Sequence, residues 1–151
     1  MPSRRESGVA QTRETRTRRE RLAAICGSLP EAKAVTLGLR GEHRSFQVRK
    51  KIFGYYLFDH HRDGRIALWC KAGPGEQGRL VEQDPRRFFV PAYVGHRGWV
   101  GVRLDLRSVN WAEVQYLVTA AYRLTAPATL ARRIGGDTGG RRERPVARPR
   151  A

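Results

Sequence analysis

Apolar positions recur along this chain with two different periods. Leu22, Ile25, Cys26 and Leu29 repeat at helical spacing, as do Trp111, Val114, Leu117, Val118 and Ala121, and each set predicts one apolar stripe on an amphipathic helix. Between them the period drops to two. Phe46 and Val48 alternate with Ser45, Gln47 and Arg49; Ile66, Leu68 and Cys70 with Arg65, Ala67, Trp69 and Lys71; Val100, Val102 and Leu104 with Trp99, Gly101 and Arg103. Such alternation predicts strands with one face in a core. Residues 33–37 add a short strand. Ile52–Phe58 is apolar at nearly every position, which fits a central strand covered on both sides.

Local punctuation sets the boundaries. Thr15 or a neighbouring threonine caps the first helix, which Gly27 and Pro30 close, and Asn110 with Glu113 three residues on reads as a capping box for the last long one. Residues 73–84 predict a weak short helix, and Pro127 restarts a helical turn over 128–133. Lys50-Lys51 punctuates a hairpin. Gly95-His96-Arg97-Gly98 is a glycine-bracketed turn that presents His96 and Arg97, and Asp59–Gly64 is a turn whose His60 and His61 point apart into solvent. The expected architecture is α+β: an antiparallel sheet over residues 14–132, with the N- and C-terminal helices packed on one face and one small extra helix. Residues 1–13 read as a disordered basic arm and 133–151 as a disordered Arg/Pro/Gly-rich tail.

If these strands share one sheet, the face away from the helices carries Trp69, Lys71, Trp99, Arg103, Gln47 and Arg49. Same-side neighbours on a strand stand roughly 7 Å apart, so Arg103 is expected beside Trp99 over the gap left by Gly101.

Charge gives that face a meaning. The 151 residues carry a formal +16, with 26 of the 30 basic residues arginine and lysine only at 33, 50, 51 and 71. Residues 1–21 hold seven arginines against three acids, and 132–151 seven against two. A field of this sign attracts polyanions, of which nucleic acid is the commonest in a cytoplasm, although an anionic membrane surface or an acidic protein would satisfy the same electrostatics. No long apolar run or signal-like segment occurs, which points to a cytoplasmic protein without a membrane span. Cys26 and Cys70 have no metal-type spacing and read as buried reduced thiols.

Catalytic signatures are absent from the sequence: no phosphate-binding loop, no dinucleotide fingerprint, no nucleophile elbow and no zinc-protease motif. The best catalytic assignment makes His96 a base with Arg97 as an oxyanion or phosphate contact, near Asp105, but nothing in sequence holds a tautomer for His96. Stacking plus phosphate neutralisation is the better supported chemistry. Its candidate residues are Arg49, Lys50, Lys51, Trp69, Lys71, His96, Arg97, Trp99 and Arg103. The same Trp/Arg face would equally suit a protein partner.

The run from Asp84 to Asp105, the helix opened by Asn110-Trp111-Ala112-Glu113 and ended by Ala121-Tyr122-Arg123-Leu124, Leu29-Pro30-Glu31, and Ser45–Phe53 together resemble the MmcQ/YjbR family of small bacterial proteins. The resemblance spans about residues 18–132. It implies a fold like that of the bacterial frataxin CyaY and a non-catalytic, weakly sequence-specific DNA-binding role without a cofactor. Frataxin-like iron binding relies on an acidic helix. Arg18, Arg19 and Arg21 make the equivalent helix basic here and disfavour that role.

Overall fold

The computed structural model describes residues 10–135. The first stripe becomes α1 (Arg13–Gly27). Its cap is Thr12 rather than Thr15: the Thr15 amide donates to Thr12 Oγ1 at 3.1 Å and the Thr12 amide donates back to Thr15 Oγ1 at 2.9 Å. The two threonines thus satisfy one end of the helix reciprocally. Of the expected flanking segments, 1–13 and 133–151, only residues 10–13 and 133–135 lie within the described residues; they lead into α1 and complete the last helix.

Six strands follow: β1 (Ala32–Leu37), β2 (His43–Val48), β3 (Lys51–Phe58), β4 (Ile66–Cys70), β5 (Phe88–Phe89) and β6 (Val100–Arg103). They form one antiparallel sheet in the order β1-β2-β3-β4-β6-β5. The helix α2 (Glu76–Gln83) lies between β4 and β5, and α3 (Trp111–Thr125) and α4 (Ala128–Gly135) complete the chain. Asn110 caps α3 by accepting the Glu113 amide at 3.1 Å. The expected capping box is only half made, because the Glu113 carboxylate turns instead to Arg87.

One sheet face carries the main core. Leu22 and Cys26 from α1 and Val114, Leu117, Val118, Ala121 and Tyr122 from α3 pack on Phe46, Tyr56, Leu68 and Val102. Phe46, Leu68 and Val102 are core positions of the period-two pattern, and Tyr56 comes from the strand that the pattern left without an assigned face. Tyr122 is fully buried, and its hydroxyl donates to the Pro30 carbonyl at 2.7 Å, tying α3 to the loop after α1.

The opposite face differs from the expected open surface. Cross-strand partners align Ser45, Tyr55, Trp69, Gly101 and Phe89 in a row, and a second apolar cluster of Leu57, Ala67, Trp69 and Trp99 is built there, with Ile52, Tyr55, Phe89 and Val94 against it. All five residues of β4 are consequently buried. β3 gave no readable parity because both of its faces are covered by apolar clusters, and a bulge also interrupts its alternation. The register with β2 shifts between Phe46 and Gln47, so Ile52 and Tyr55 join the second cluster while Phe53 and Tyr56 join the first.

Candidate functional site

Trp69 and Trp99, placed by the strand pattern on an exposed platform, are each only 4% exposed. The gap over Gly101 is filled not by Arg103 but by Phe89: a Cβ on Gly101 would collide with the Phe89 ring. The Arg65 guanidinium covers that ring at 4.1 Å. Arg103 donates through Nε and Nη2 to the two carboxylate oxygens of Asp105, at 3.0 and 2.7 Å. Arg49 does the same with Glu31, at 2.6 and 3.0 Å. The sequence gives no warning of this covering layer, because its parts come from separate segments: Phe89 from the edge strand β5, Val94 from the loop after it and His60 from the turn after β3.

The remaining expected cations are brought together. The β2–β3 connection is a two-residue turn at Arg49 and Lys50, with φ of 51° and 69°, the left-handed geometry that matches the twist of a hairpin. It sets Lys50 and Lys51 at one end of the sheet. Lys71 leaves the end of the neighbouring β4, with its amide donating to Phe53 O at 3.3 Å. Arg97 comes from the 3-10 turn Gly95–Arg97. Lys50, Lys51, Lys71 and Arg97 line one concavity of about 390 Å³, with Tyr55 and Trp99 in its wall. No carboxylate lines it, and among the described residues none of the four cations has an ion-pair partner. His96, on the same turn, is exposed and lies outside this lining.

The electrostatics agree with the geometry. Burial first, then the charges of Arg97 and Lys51, hold the Lys71 ammonium below its ordinary pKa. An anion seated here would relieve that repulsion. Gln77 fixes the wall: its Nε2 donates to the carbonyls of Gly95 at 2.8 Å and Trp99 at 2.6 Å. On the sequence Gln77 is one more polar residue of a short helix.

A second unforeseen arrangement involves the histidines. The His60 and His61 rings meet edge to face, with centroids 4.1 Å apart, on a turn where His61 adopts a left-handed φ of 53°. His60 also packs edge-on against Trp69 at 5.3 Å and near His43 at 5.7 Å. Desolvation foremost lowers the pKa of both His43 and His60. Among the described residues no cluster of His, Cys, Asp or Glu is suited to hold a metal. No helix among them is long and apolar enough to cross a membrane.

A family model described as YjbR matches residues 27–124, which span β1 to the end of α3 together with the concavity. The chain belongs to the YjbR family. A solved relative in fold is the crystal structure of Deinococcus radiodurans protein DR2400, of domain DUF419. It is 19% identical, with a TM-score of 0.59 over 76% of this chain and 86% of its own. A search of curated proteins finds no significant match. The YjbR match and this neighbour account for the sheet and its helices. The concavity is read from this chain's own residues.

Proposed function

We propose that this YjbR-family chain is a non-catalytic DNA-binding protein, phosphate-directed and weakly sequence-specific, acting through the concavity of Lys50, Lys51, Lys71 and Arg97. One observation carries the reading. In a chain whose basic residues are overwhelmingly arginine, three of only four lysines converge with Arg97 on a carboxylate-free concavity. Several of the other cations have structural duties. Arg18 donates to the carbonyls of Leu104 and Leu106 at 2.7 and 2.6 Å, and Arg87 bridges Asp84 and Glu113. Ammonium groups act as compact point charges with rotatable donors, which suits phosphate contacts that carry no sequence information. The protein-partner alternative loses its anchor, since both indoles of that sheet face are buried.

The test is fluorescence anisotropy of a labelled mixed-sequence duplex across a salt series. Lys51→Ala with Arg97→Ala is expected to weaken binding and to flatten the slope of log K on log salt by about 0.9 for each phosphate that the variant no longer neutralises. Unchanged affinity and slope in the folded double variant would refute the concavity as the phosphate site.

A further inference from the structure

Lys71 lines two concavities. Besides the cationic one, it borders a groove of about 370 Å³ between the segment after β4 and the outer side of α3, walled by Ala72, Gly73, Pro74, Tyr116, Ala120 and Leu124. Tyr116 is 68% exposed and Leu124 51%. The Tyr116 hydroxyl makes no hydrogen bond to any described residue. Glu76, the one carboxylate in the lining, is paired with Arg79 at 2.7 Å, and Arg123 adds a further cation to the wall.

We propose that the two concavities are one site for single-stranded nucleic acid, with backbone phosphates at Lys51, Lys71 and Arg97 and an unstacked base in the groove against Tyr116. The inference rests on the phosphate-directed reading above and adds the form of the strand. A duplex base is stacked on both faces and presents only its phosphates to such a surface. A base in a single strand can leave its neighbours and lie against an aromatic ring beside a cationic track. The shared Lys71 supplies the continuity that an isolated apolar groove lacks, and the charge of the track selects a polyanion as occupant.

The experiment compares the full chain with Tyr116→Ala and Gly73→Val, using a labelled oligothymidylate and a labelled duplex of equal length at one salt concentration. Tyr116 is exposed, and a Cβ on Gly73 meets no atom within 4 Å, so both variants are expected to keep the parent's thermal transition. Gly73→Val narrows the groove without touching a cation. Each is expected to weaken single-strand binding about tenfold, the loss of one base stack, while duplex affinity stays at the parent value. An unchanged ratio of single-strand to duplex affinity in both variants overturns the inference. Lys51→Ala with Arg97→Ala separates the two readings. If it weakens both ligands while the groove variants shift no ratio, the phosphate site stands and the base groove falls; if it weakens neither, both fall.

Discussion

Trp99 sits beside Tyr55, with ring centroids 5.9 Å apart, and is 4% exposed, so its truncation acts on stability before it acts on any ligand. Trp99→Ala is expected to cost about 3–5 kcal/mol, the usual loss for a buried aromatic, seen as a lower urea midpoint. Gly101→Ala is a smaller change with a similar origin. Its new methyl collides with the Phe89 ring, and an overpacking cost of about 1–3 kcal/mol is expected. The histidines give a pH dependence. Native-state burial lowers the pKa of His43 and His60 beneath the ordinary 6.5, so the folded protein binds fewer protons than the unfolded chain in that window. Their contribution to stability is therefore fully present above 6.5 and is lost as pH falls through the lowered native values. Protonation of His43 on Nδ1 also removes the acceptor for the Phe58 amide, now at 3.1 Å. His61 opposes the charging of both rings, while Asp63 favours it in both and Glu42 in His43. Thermal melts from pH 7.5 to 5 are expected to fall less steeply for His60→Phe than for the parent.

In the β2–β3 turn the proposed phosphate role and stability make opposite demands on the same residues. Arg49 and Lys50 both occupy left-handed backbone, where a residue with a Cβ costs roughly 1–2 kcal/mol. Asn-Gly would suit this turn better, yet the basic pair places Arg49 on Glu31 and Lys50 at the concavity. Lys50→Gly is expected to raise stability by about 1 kcal/mol and to weaken duplex binding. A variant that gained stability and kept full affinity would remove Lys50 from the phosphate site. In α1 the basic positions are likewise partly structural. Arg21 lies over the Trp111 ring at 4.7 Å, and Arg18 ties the helix to the chain after β6.

Across the whole molecule the excess charge is not confined to the flanking segments. Residues 10–135 contain 23 basic and 11 acidic residues, a net +12 of the total +16. A chain trimmed to 10–135 keeps the Thr12 cap and all of α4. It is expected to bind duplex with a slope of about −3.6 in log K on log salt, from four neutralised phosphates at about 0.9 each. Loss of all binding on trimming would move the activity to the flanking segments.

The sequence by itself determined which positions form the main core, where the long helices lie, and the α+β class. Apolar period, caps and breakers are local signals, and β2, β4 and β6 obey them, while β3 is apolar on both faces and bulged. It also held the lysines of the candidate site, though in two separated segments. Tertiary structure decided the rest. Phe89 of the edge strand, Val94 and His60 pack on the second face and turn Trp69 and Trp99 from an expected platform into packing. Antiparallel pairing brings the start of β3 beside the end of β4, which joins Lys50 and Lys51 to Lys71, and Gln77 holds the Arg97 turn against them. Alternation along a strand separates two faces, but it says nothing about what a distant segment will lay on either one.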